Sequence, residues 1–115
     1  MDNTIRIIRG TTAYVNIQLK DADGGIYRLA DGDVLRFGVK EGAQFDEYKL
    51  LKELTEENVN AAGDGYMLTF LPADTEGLQC RAYVYDVGLQ AGLDYFNAIP
   101  CASFVVAPNI TAREV

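Results

Sequence analysis

The chain has 115 residues, 49% of them hydrophobic and 23% charged, with a net charge of −7 and no histidine. That length corresponds to one domain, expected over 1–115, and it can bury a core without staples; the composition is too apolar for a disordered chain. The ten Lys and Arg residues are scattered, which argues against nucleic acid and an anionic membrane as partners, because binding to phosphates is driven by clustered cations.

Period-two alternation dominates and predicts half-buried strands. Ile5 and Ile7 flank Arg6, and Ala13, Val15, Ile17 and Leu19 then alternate with polar neighbours up to Lys20. Asp21-Ala22-Asp23-Gly24-Gly25 reads as a turn, because Asp and Gly supply local side-chain bonds and positive φ. A short strand is expected over 26–29, a second turn at Asp31-Gly32-Asp33, and a strand carrying Leu35, Phe37 and Val39 that Gly42 ends.

Residues 43–60 are ambiguous. Leu50, Leu51 and Leu54 suit a helix or a strand; the neighbouring strands favour a strand over 48–54, followed by an exposed loop at Glu56-Glu57-Asn58. Asp64-Gly65 is a hairpin-type dipeptide, and Tyr66, Leu68 and Phe70 alternate until Pro72. A long strand with Tyr83, Tyr85, Val87 and Leu89 on one face follows. It turns at Ala91-Gly92-Leu93-Asp94 into a last strand over 97–107, with Phe104 and Val106 inward and Pro108 as the stop.

Seven to eight short strands joined by Gly- and Asp-rich turns indicate an all-β fold, an antiparallel immunoglobulin-like β-sandwich. Leu71-Pro72-Ala73-Asp74-Thr75 leads through Leu78 to Tyr83. That order suggests a tyrosine corner, with the Tyr83 hydroxyl bonded back to backbone near the crossover.

The residues argue against an enzyme. Without histidine there is neither a Ser-His-Asp nor a Cys-His arrangement, and Ser103, the single serine, lacks a nucleophile turn. Cys80 and Cys101 are too few for a zinc site. A hairpin about residues 91–94 would set Cys80 opposite residue 106 and Cys101 opposite residue 86, beyond disulfide reach at about 3.3 Å per residue. Asp21 and Asp23, like Asp31 and Asp33, lack the remaining ligands of a calcium loop. No catalytic, cofactor or metal residues are therefore expected, and no cofactor. Tyr14, Tyr27, Tyr48 and Tyr95 are candidates for a binding face, with half-buried strand positions as the plainer assignment.

The opening Ile5-Arg6-Ile7-Ile8-Arg9-Gly10-Thr11-Thr12, the strand 13–20, Tyr27-Arg28-Leu29, and Gly32-Asp33-Val34-Leu35-Arg36-Phe37-Gly38-Val39-Lys40 come in a familiar order. With Leu71-Pro72-Ala73-Asp74-Thr75, Tyr83-Val84-Tyr85-Asp86-Val87, Phe104-Val105-Val106 and Ile110-Thr111, that order resembles the N-terminal domain of phage baseplate upper proteins and small related proteins of phage and prophage tails. Pro100-Cys101-Ala102-Ser103 departs from the pattern by lacking a glycine before the final strand.

The resemblance implies an immunoglobulin-like domain used in assembly. Its partners would be other tail or baseplate subunits, further copies of itself included. A carbohydrate- or surface-binding immunoglobulin-like module is the alternative. Met1-Asp2-Asn3-Thr4-Ile5 lacks the features of a secretory leader, and no apolar run approaches the roughly 18 residues of a membrane span. The expected site of synthesis is therefore a bacterial cytoplasm, with a place in the virion if the tail resemblance holds.

Overall fold

The computed structural model describes residues 3–111. They form β1 (Ile5–Ile8), β2 (Ala13–Ile17), β3 (Val34–Lys40), β4 (Leu50–Leu54), β5 (Tyr66–Phe70), a short helix α1 (Pro72–Glu76), β6 (Ala82–Ala91) and β7 (Asp94–Ala107). Five strands make one sheet in the order β1-β7-β6-β3-β4, and β2 pairs with β5 in a second. The fold is all-β, and alternation assigned the inward faces well: Leu35, Phe37, Val39, Tyr83, Tyr85, Val87, Leu89, Phe104 and Val106 are all buried.

The two sheets meet through aromatic rings. Phe70 of β5 lies 5.6 Å from Phe37 of β3 and 5.7 Å from Phe104 of β7, centroid to centroid. Phe37 also packs at 5.2 Å on Tyr85 and 5.9 Å on Phe104. Such edge-on and tilted pairs add to the free energy of burial itself.

The expectation of a purely antiparallel arrangement is corrected. β1 runs parallel to β7, with Ile5 beside Phe104 and Ile8 beside Ala107, so the larger sheet is mixed. Periodicity assigns side chains to faces but carries no information on strand direction, and no hairpin links these two strands.

The strand expected over 26–29 is likewise absent; a single bridge joins Ile26 to Lys20. Beyond the Tyr27 amide, which donates to the Leu19 carbonyl at 2.9 Å, its backbone is tied to side chains instead of a ladder. The Leu29 amide donates to the Tyr66 hydroxyl at 2.6 Å and the Ala30 amide to Asp33 Oδ2 at 2.9 Å. Residues 56–58 form a 3₁₀ turn rather than a plain loop, capped by Thr55 and Asn58.

Turns follow their polar residues. Asp21 Oδ1 accepts from the Asp23 and Gly25 amides, which explains the acid as a turn former. In the loop before β5 the left-handed residue is Gly63, at φ 76°, rather than a residue of the Asp64-Gly65 pair. Asn60 organises that loop by accepting from the Gly63 and Asp64 amides. At Gly65 a side chain would meet Asn16 at 2.7 Å and the Ile17 carbonyl at 3.0 Å.

The crossover between β5 and β6 is anchored at both ends. Pro72 opens α1, and Asp74 Oδ2 accepts from the Leu71 amide at 2.7 Å. Buried Thr75 accepts from the Gly10 amide at 2.8 Å, and Arg9 donates to the carbonyls of Glu76 and Leu78, which ties α1 to the end of β1. Further on, the Tyr83 hydroxyl donates to the Gln79 carbonyl at 2.8 Å, the contact that the tyrosine-corner pattern anticipates.

Lys52 of β4 reaches Asp74 at 2.9 Å while its ammonium lies 5.9 Å from the centre of the Phe70 ring. Partial burial pushes the Asp74 carboxyl up. The hydrogen bonds from Lys52 and the Leu71 amide, with the Lys52 charge, outweigh it and hold the group below its ordinary 3.8.

Replacing Phe70 by Ala should lower stability by about 3–5 kcal/mol in denaturant unfolding, because it leaves a cavity between the sheets. Asp74 has a depressed folded pKa, so the stability it contributes is present above its ordinary 3.8 and is lost as pH falls through the lower folded value. Asp74→Asn should therefore reduce stability at neutral pH and flatten the acid limb of the stability–pH curve.

Candidate functional site

Two neighbouring features stand out, the edge of β7 and the outer face of the larger sheet. β7 is much longer than β1 and meets it only at the Phe104 to Ala107 end. Over residues 94–103 its ladder is with β6, and among the described residues its other edge carries no strand. No charged residue occurs from Tyr95 to Ala107.

The turn at the tip of this β6–β7 arm is a two-residue loop, Gly92-Leu93, with Ala91 opposite Asp94 and Gly92 at φ 63°. Glycine at the first loop position is the mark of a type II′ hairpin. Leu93 is fully exposed there, and Phe96 is 54% exposed. Register shifts between Tyr85 and Gly88 bulge β7 around Ala98 and Pro100, where proline is tolerated.

Beside this edge a groove of about 690 Å³ runs between the sheets, lined by Ile5, Val15, Ile17, Tyr85 and Ile99 among others. Asn3, Thr4, Asn16, Gln18 and Lys20 complete a mixed lining in which apolar surface predominates.

The outer face of the larger sheet is different. Gly38 of β3 lies opposite Asp86 of β6, and Gly88 lies two pairs further along on the same face, opposite Arg36. A Cβ on Gly38 would fall 2.6 Å from Tyr48 Cε1, and one on Gly88 only 1.8 Å from the Tyr95 hydroxyl. Each glycine therefore makes room for a tyrosine laid on the sheet; both rings stay exposed, Tyr48 at 52% and Tyr95 at 60%.

Asp86 accepts from Asn97 Nδ2 at 3.2 Å, and the Lys40 ammonium lies 4.6 Å from the centre of the Tyr48 ring. A shallow groove of about 160 Å³ is lined by Gly38, Lys40, Tyr48, Val84, Asp86 and Cys101, with Ala43 and Tyr85.

The four tyrosines singled out in the sequence thus divide. Tyr48 and Tyr95 share the outer face of one sheet, whereas Tyr14 stands exposed on β2 in the other sheet. Tyr27 packs against the core and donates to Asp33 Oδ2 at 3.4 Å; burial first and then the Asp33 carboxylate push its hydroxyl pKa up. Lys40, Asp86 and Asn97 escape sequence reasoning. The available signal is the pair of mid-strand glycines, since glycine inside a strand marks close approach of another group.

Cys80 and Cys101 are exposed free thiols. The pairing of Ala82 with Val105 sets Cys80 level with residue 107, far along β7 from Cys101. Among the described residues no three Cys, Asp or Glu side chains gather as a metal-holding group, and no helix is long and apolar enough to cross a membrane. No protein-family model, curated protein or solved structure matches the chain.

Gly88→Ala should lift the Tyr95 hydroxyl off the sheet. Because the clash is with the far end of a mobile side chain, unfolding stability should fall by no more than about 1 kcal/mol. The Tyr95 ring resonances in an NMR spectrum should shift strongly.

Proposed function

We propose that this chain is a non-catalytic assembly domain, an immunoglobulin-like sandwich of the phage or prophage tail and baseplate kind, working through contacts with like or neighbouring subunits. The observation that carries the proposal is the open edge of β7 over residues 94–103, uncharged after Asp94 and set beside an apolar groove. Proteins that must stay apart blunt such edges with charge, proline, bulges, cover or closure; here the bulge and Pro100 interrupt the edge near its middle, while no charge guards it after Asp94.

An incoming strand would find unpaired backbone groups along the edge and an apolar trough for alternate side chains, the two elements of recognition by strand addition. Exposed Leu93 and Phe96 at the arm tip extend the same surface. The −7 net charge supports the proposal, because it disfavours unspecific self-association elsewhere on the surface. Further support for the immunoglobulin-like arrangement comes from the two sheets around one core and from the Tyr83 hydroxyl bonded to the crossover backbone.

Light scattering coupled to size exclusion tests the self-assembly form of this proposal. The purified chain should give a discrete oligomer whose mass holds over a range of concentrations. Phe96→Lys should shift it to monomer with unchanged thermal unfolding. A strict monomer at every concentration would sink self-assembly through this edge.

A further inference from the structure

We propose that the shallow groove on the outer face of the larger sheet, between Tyr48, Lys40 and Asp86, is a binding site for a neutral saccharide. It opens on the face of the sheet rather than along the β7 edge, although Cys101 of β7 lines it, and it does not depend on assembly.

The argument starts from Gly38. A strand interior normally gains from a β-branched or aromatic residue, and glycine there weakens the strand. At Gly38 the missing side chain is replaced by the Tyr48 ring, which arrives from the β3–β4 connection and stays half exposed. An exposed aromatic ring held against a sheet is a platform for the C–H face of a sugar. Being positioned by the scaffold, it loses little freedom on binding.

Polar groups stand around this platform. Asp86 lies directly across from Gly38 and offers carboxylate oxygens, one of them already oriented by Asn97. Lys40 lines the same groove and offers an ammonium donor. One acceptor-only group and one donor-only group on a single wall match a ligand whose adjacent hydroxyls each donate and accept.

Charge and size favour a neutral sugar. The groove holds one cation and one carboxylate, and the chain as a whole carries −7, so a polyanion gains nothing by approaching. The volume of about 160 Å³ is well under the roughly 300–1,000 Å³ of pockets for drug-sized ligands, which suits one sugar ring of a longer glycan.

The test is a two-dimensional amide NMR titration of the full chain with methyl glycosides of glucose, galactose, mannose and N-acetylglucosamine, and with a disaccharide of each. Saturable shifts with at least one probe are expected at Gly38, Lys40, Asp86 and Cys101, with millimolar affinity. Tyr48→Ala and Asp86→Asn should each weaken binding about tenfold, and Gly38→Ala, which pushes the ring away without removing it, should do the same. Phe96→Lys should leave the shifts intact. The inference is overturned if no probe produces saturable shifts at these amides, or if binding survives Tyr48→Ala and Asp86→Asn in variants whose spectra show the native fold.

Discussion

The contact of Phe70 with Phe37 and Phe104 is the constraint on which the remaining structure depends. The two sheets share no backbone ladder, so side-chain packing has to hold them together. These rings are completely or almost completely buried and come from β3, β5 and β7, with Tyr85 of β6 against Phe37. Most of the driving force at this junction is removal of ring surface from water, and the edge-on geometry adds selectivity for one arrangement. The Lys52–Asp74 pair closes the same region from the α1 side, which couples the crossover to the aromatic centre.

With the interior organised this way, the outer surfaces are free to differ. On the larger sheet, glycines at 38 and 88 give up their own packing so that tyrosines from other segments can lie on the strands. On β7, the bulge near Pro100 leaves a long uncharged edge beside a gap between the sheets. The first feature is the surface proposed to take a small polar ligand; the second is the edge proposed to pair with another chain. They lie on different sides of the same hairpin, so one scaffold can present both.

Much of the fold was legible in the sequence because a two-residue period survives burial on one face. That signal puts Leu35, Phe37 and Val39 on one face of a strand and Tyr83, Tyr85, Val87 and Leu89 on one face of another, and both faces are buried. Direction and pairing were not legible. Nothing in Ile5 to Ile8 distinguishes a parallel from an antiparallel neighbour, and the neighbour is the last strand of the chain. Side-chain substitution for backbone bonding also escapes pattern reading: Tyr66 and Asp33 hold residues 29 and 30, at and just past the end of the strand expected over 26–29. The outer-face groups were missed for a related reason. Lys40, Asp86 and Asn97 look like ordinary solvated positions until register sets them next to a tyrosine from another segment.

The parallel pairing of β1 with β7 also governs the order of events during folding. The β6–β7 hairpin closes through a two-residue loop and can form early, whereas β1 has to wait for residues almost a full chain length away. Closing so long a loop delays its reward and slows the approach to the native state. In that interval β7 from Tyr95 onward, including the part that β1 later covers, presents an uncharged edge to neighbouring molecules. Early species of this kind are prone to premature association. If this edge is the assembly surface proposed above, the concentration at which the chain is made would decide whether the arm first meets its own N-terminal strand or another copy of itself.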